Sequence, residues 1–125
     1  MRLNFLRFFS LGTAVFILVL GAFSVQAAPV GDVVEVVTFK LKPGVTPDQF
    51  KVIDKKVEVT HVSKQPGFKS RESAWSDAGE WLVIVHWRSV QDANASMASF
   101  KKAPAAATFM QDIESSTMQM KRYQQ

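Results

Sequence analysis

Between Val33 and Leu41 the chain reads VVEVVTFKL. Six of the nine positions are apolar, β-branched residues dominate, and the run is too short for a typical helix, so it predicts a strand. Alternation puts Val33, Glu35, Val37, Phe39 and Leu41 on one face, and Val34 and Val36 on the other. A strand that is apolar on both faces is covered on both. Lys42-Pro43-Gly44 breaks the run, and Thr46-Pro47-Asp48-Gln49 then opens a helix. Thr46 can cap it, Pro47 suits the first helical position, Asp48 complements the dipole, and Gln49 can close a capping box. Phe50, Ile53, Val57 and His61 follow at helical spacing, which predicts a helix to about residue 63, ended by Pro66-Gly67.

Phe68–Trp75 and Glu80–Arg88 read as two further strands, joined as a hairpin by Ser76-Asp77-Ala78-Gly79. The third strand, like the first, is apolar on both faces, with Trp81, Val83, Val85 and Trp87 on one and Leu82 and Ile84 on the other. Ser89-Val90-Gln91-Asp92 starts a second helix through Ala93, Met97 and Phe100. Pro104 interrupts it, and Ala105–Ile113 resumes as a short helix. Thr117–Tyr123 predicts a last strand, with Met118 and Met120 on one face.

The order is β-α-β-β-α-β, a ferredoxin-like α+β fold with a four-stranded antiparallel sheet. Helices cover only one face of such a sheet, and the chain has no spare element for the other. The economical cover is a second copy, sheet against sheet, so the pattern predicts a homodimer through the sheet face.

The first 27 residues are of another kind. Arg2 and Arg7 precede the apolar run FFSLGTAVFILVLGAFSV, and Val25-Gln26-Ala27 offers a small-residue exit. These are the three parts of a secretory signal peptide. A run of about 18 apolar residues can also just span a bilayer as an uncleaved anchor. Ser10, Gly12, Gly21 and Ser24 within it, and the lack of a cationic cluster after it, favour cleavage after Ala27. The expected mature domain is 28–125, secreted or periplasmic, meeting the membrane only through the segment it loses.

With Arg2 and Arg7 set aside, 13 cations face 11 acids, a net charge of about +2. The basic residues form only scattered pairs (Lys55-Lys56, Lys101-Lys102, Lys121-Arg122), most simply solvated faces. No basic stripe or nucleic-acid module is present, which argues against nucleic acid as a partner. The absence of cysteine excludes disulfides, a thiol nucleophile and a cysteine zinc site. His61 and His86 stand apart with no carboxylate at ligand spacing, so no metal site is expected.

The runs VVTFKLKPGVTPDQF and EWLVIVHWRSVQDA, the Pro66-Gly67-Phe68 turn and the later Phe109-Met110 together resemble the antibiotic-biosynthesis-monooxygenase-like domains. The resemblance covers nearly all of Val33–Tyr123 and implies a dimeric α+β barrel. It also implies a choice of chemistries: cofactor-free oxygenases, haem-degrading enzymes, haem binders and members without known activity. The haem-degrading pattern has an Asn in the first strand, a Trp ending the third and a His in the following helix. Here only Trp87 matches, since the first strand offers Val36-Val37-Thr38 and Ala103–Met110 holds no His. Haem binding through His86 or His61 stays open. The resemblance to the quinone-forming oxygenases implies no cofactor, with the substrate itself activating oxygen.

On that reading Trp87 is a pocket wall, and Trp81, Val37, Phe39, Met97 and Phe100 join it in binding an apolar or aromatic substrate. Core packing is the plainer reading of each. Glu35, a carboxylate among valines, and His86, in an apolar strand, are the candidate proton acceptors. The plainer alternatives are an ion pair for Glu35 with a cation on a neighbouring strand and a satisfied structural imidazole for His86. His61 at a helix end suits the dipole, and Arg71, Glu72 and Arg88 can pair across the hairpin.

Overall fold

The computed structural model describes residues 32–125. The expected signal segment and its cleavage site lie outside them. In chain order the elements are β1 (Val33–Leu41), α1 (Pro47–Thr60), a single 3-10 turn (Val62–Lys64), β2 (Phe68–Trp75), β3 (Glu80–Trp87), α2 (Val90–Phe100), α3 (Pro104–Gln111) and β4 (Ile113–Gln124). The strands form one sheet in the order β2-β3-β1-β4, and every neighbouring pair is antiparallel. This is the ferredoxin-like arrangement.

The local causes match the composition. At the start of α1 the Thr46 hydroxyl accepts the Gln49 N–H, and the Gln49 side chain accepts the Thr46 N–H, closing the capping box. Ser89 caps α2 by accepting the Asp92 N–H at 3.1 Å. Pro104 heads α3, where its missing N–H costs nothing.

Two boundaries differ from expectation by more than two residues, and the short helix ends at Gln111 rather than Ile113. The first helix ends at Thr60 rather than about residue 63, because His61 leaves helical geometry and the chain tightens into the 3-10 turn that buries Val62. The last strand begins at Ile113, four residues before the expected Thr117. Pairing decides this: Ile113 lies opposite Leu41 and Glu114 opposite Lys40. A register shift follows, where the Lys40 N–H donates to the Thr117 hydroxyl at 2.8 Å instead of to a ladder carbonyl.

The core lies between the helices and one sheet face. Phe39, Phe50, Trp81 and Phe109 interlock edge-on or tilted, with ring centroids 5.0 to 5.7 Å apart. The other sheet face carries Val34, Val36 and Thr38 from β1 and Leu82, Ile84 and His86 from β3, all half-buried with no helix over them.

Candidate functional site

Strand parity decides which side chains meet the helices. Inward-facing residues line up in rows across the sheet, and one row reads Arg71, Val85, Glu35, Arg122 from β2 to β4. Adjacent strands lie about 4.8 Å apart, so the Arg71 and Glu35 backbones stand roughly 10 Å apart with Val85 between them. Over this row the helices α2 and α3 do not close onto the sheet. They leave a cavity of about 520 Å³.

Its floor is Glu35, Val37 and Phe39 of β1, Arg71 of β2 and Val83, Val85 and Trp87 of β3. Its roof is Ser96, Met97 and Phe100 of α2 with Ala106, Phe109 and Met110 of α3, and Met118 of β4 closes one side. Such a lining, mostly apolar with a few converging polar groups, is the usual make-up of a small-molecule site.

The buried charged groups of the floor are few and individually held. Glu35 is 5% exposed, and its Oε2 accepts a hydrogen bond from Arg122 Nε at 2.7 Å. Arg122 donates in turn to the Asn94 side chain of α2. Arg71 is bound bidentately by Asp54 of α1, Nη1 to Oδ2 at 2.9 Å and Nη2 to Oδ1 at 2.5 Å. Ser73 also donates to Asp54 at 2.7 Å, and Glu58 Oε2 lies 3.6 Å from Arg71 Nη1. Each buried charge thus meets an opposite charge, the condition under which ions are tolerated in an interior.

Trp87 is the exception among the polar groups. It is 1% exposed, its ring stands edge-on to Phe68, and its Nε1–H has no acceptor. Trp81 Nε1 is also unpaired, so this core tolerates one free indole N–H. The difference is that Trp87 borders open volume and Trp81 does not.

Of the residues singled out in the sequence, Glu35, Val37, Phe39, Trp87, Met97 and Phe100 line this one cavity. Two do not. Trp81 has the parity of Trp87 but sits further along β3, stacked on Trp75 at 5.2 Å and edge-on to Phe50, so it is core rather than pocket wall. His86 has the opposite parity and lies beside Val34 on the outer sheet face, so it cannot share a site with Glu35.

Arg71 does not pair across the hairpin as expected. It points inward to α1, whereas Glu72 points outward opposite Ile84 and Arg88 reaches Asp92 at 3.5 Å. His61 is the residue that ends α1, and its Nε2 lies 3.2 Å from Ser99 Oγ of α2. It borders a second, smaller hollow of about 330 Å³ beside Ile53, Lys56 and Thr108. No histidine lines the main cavity, and no group of three metal-ligating side chains is found among the described residues.

Arg71, Lys101, Lys102 and Met110 also line the cavity, a place the sequence reading did not give them. For Arg71 a signal existed. Asp54 falls on the buried stripe of α1 between Phe50 and Val57, and a carboxylate there requires a cation on the facing strand.

No protein-family model and no curated protein matches this sequence. Solved structures do. The cofactor-independent oxygenase SnoaB from Streptomyces nogalater superposes with a TM-score of 0.62 at 16% identity, covering 74% of this chain and 91% of that one. A provisionally named antibiotic biosynthesis monooxygenase from Bordetella bronchiseptica gives 0.63 at 14%, covering 76% and 97%. A protein of unknown function from Nitrosomonas europaea gives 0.58 at 12%, covering 77% and 90%. At such identities the likeness speaks for architecture alone. The described chain has the α+β fold of the antibiotic-biosynthesis-monooxygenase-like proteins.

Proposed function

We propose that this chain is an exported, cofactor-independent monooxygenase acting on a small aromatic or quinol-like compound. The observation that carries the reading is that one open, mostly apolar cavity holds a buried carboxylate, Glu35, on the same floor as the Trp87 ring. SnoaB, of the same fold, is described as a cofactor-independent oxygenase.

In this reading the substrate is a phenol whose ring lies on Val83 and Val85. Glu35 takes the phenolic proton, and the Trp87 ring positions the substrate against the floor of the cavity. The electron-rich ring carbon passes electrons to O2 and bonds to it, and the proton returns to give a carbon-bound hydroperoxide. Loss of water from that carbon leaves a new carbonyl. One oxygen atom of O2 enters the quinone, the other leaves as water with the hydrogens of the O–H and C–H bonds, and the substrate supplies all the electrons. Glu35 is the acceptor here rather than His86, which lies on the other side of the sheet.

A second reading has its own observation. Glu35 is already engaged by Arg122, which suits an ion pair that orders a pocket as well as it suits a base. The protein is then a non-catalytic carrier or sensor of an apolar ligand.

The same proposal includes dimerisation through the outer sheet face. The row Glu72, Ile84, Val36, Lys121 crosses that face with an acid at one edge and a base at the other. A two-fold axis parallel to the strands lays β2 over the β4 of a second copy, and Glu72 then opposes Lys121 of the partner subunit.

Native mass spectrometry of protein taken from its own compartment tests the reading first. The expected species is a dimer of chains beginning at Ala28, carrying a small aromatic molecule. With that molecule in hand, Glu35→Gln should lower oxygen uptake by about 100-fold, the scale of losing a positioned base, and leave binding nearly intact. Unchanged oxygen uptake in Glu35→Gln would remove the carboxylate from the chemistry. A bound ligand with no turnover at all would select the carrier.

A further inference from the structure

The charges inside the cavity are matched, and those at its rim are not. Arg71 is held by Asp54, and Glu35 by Arg122. Lys101 and Lys102 close the end of α2, lead through Ala103 into α3, and line the cavity where it meets solvent. Both are exposed, and neither forms an ion pair among the described residues. Nothing in the lining opposes them except Glu35, which Arg122 already occupies.

We infer that the ligand is an apolar acid. Its ring or hydrocarbon body occupies the space between Val85 and Met97, and its anionic head lies at the rim beside Lys101 and Lys102. The inference deepens the reading of the cavity as a ligand site and rests on it. The physical division of labour is simple. Burying the body contributes affinity in proportion to the apolar area removed from water. The head stays at the boundary, so it keeps much of its hydration while two ammonium groups attract it. A neutral molecule of the same shape gains only the first term. The two unmatched cations also fix orientation, because the head can sit only at the open end, and the opposite end of the ligand then meets the charged row of the floor.

Calorimetric titration of the purified protein with 2-naphthoate and with 2-naphthol tests this near neutral pH, where the two share a ring system and differ in charge. At low salt the acid should bind about tenfold more tightly, the scale of one to two partly solvated ion pairs. That advantage should shrink at high salt, as screening requires. It should also vanish in Lys101→Gln/Lys102→Gln, where the two probes should bind with similar affinities. Equal affinities for the two probes, or an acid preference that survives the double substitution, would overturn the inference while leaving the cavity a ligand site. Failure of both probes to bind would overturn the ligand site and the inference together.

Discussion

At the scale of single residues, the charges beneath the cavity decide both its shape and its stability. Arg71 and Asp54 leave only 2% and 3% of their side chains exposed, so neither is hydrated, and each depends on the other. Replacing Asp54 by Ala strands a buried guanidinium with only Glu58 nearby. The expected loss is about 3 kcal/mol. For a domain of this size that is a fall of roughly 10 to 20 °C in melting temperature, measurable by calorimetry. Arg71→Met with Asp54→Leu should recover most of it, since an apolar pair of similar volume needs no compensating charge. A single Asp54→Ala that melts within about 2 °C of the parent would show the pair to be hydrated after all. The sequence makes half of this visible. Alternation places Arg71 inward with Ser73 and Trp75, and helical spacing places Asp54 between Phe50 and Val57. Neither period says that those faces meet, because a pairing across 17 residues is fixed by where α1 lands on the sheet. Trp81 and Trp87 teach the same lesson: parity puts both on one face, and only the roof that α2 and α3 form separates core from cavity wall.

Among elements, the passage from β2 and β3 into α2 is the tightest. Gly67 has φ of +79°, and a Cβ there would stand 2.1 Å from Asp92 Oδ2 and 2.5 Å from Asp92 Cβ. Its carbonyl accepts the Arg88 N–H at 2.8 Å, so the turn before β2 is tied to the exit of β3. Asp92 cannot simply swing away, because Ser89 Oγ donates to its Oδ2 at 2.9 Å in the cap of α2. Gly44 provides the control, with a similar φ of +88° and nothing within 4 Å of the place a Cβ would take. Gly44→Ala should cost only the left-handed backbone penalty of about 1 to 2 kcal/mol. Gly67→Ala should cost that and about 1 kcal/mol or more for the displaced cap. Urea denaturation of the two variants measures the difference, and equal midpoints would mean that Asp92 yields freely. Capping boxes and proline positions made α1, α2 and α3 legible in the sequence. The start of β4 was not, because Ile113–Ser116 has no strand pattern of its own and is ordered by Leu41 and Lys40 opposite it.

For the whole molecule, the outer sheet face is where pattern and charge agree. Val34, Val36, Leu82 and Ile84 form a half-buried apolar centre, and Glu72 and Lys121 bound it on opposite edges. With the strands of the two sheets aligned, two symmetric ways exist to lay such a sheet on its copy, with packed sheets about 10 Å apart. An axis across the strands sets β2 over β2 and brings like charges together. An axis along them sets β2 over β4 and brings acid to base at both edges. Association through the second geometry therefore predicts a specific mutant pattern. Glu72→Lys should weaken the dimer about tenfold, by turning two weak attractions into repulsions. Glu72→Lys combined with Lys121→Glu should restore it. Ile84→Lys should leave a folded monomer, because the residue is only half-buried within one chain and its charge would be trapped between two. Sedimentation velocity at micromolar concentration reads all three. A charge swap that fails to rescue, with Ile84→Lys still monomeric, would keep the face and reject the axis. Dimers persisting in Ile84→Lys would move the interface elsewhere, and the apolar outer face would then need a different cover.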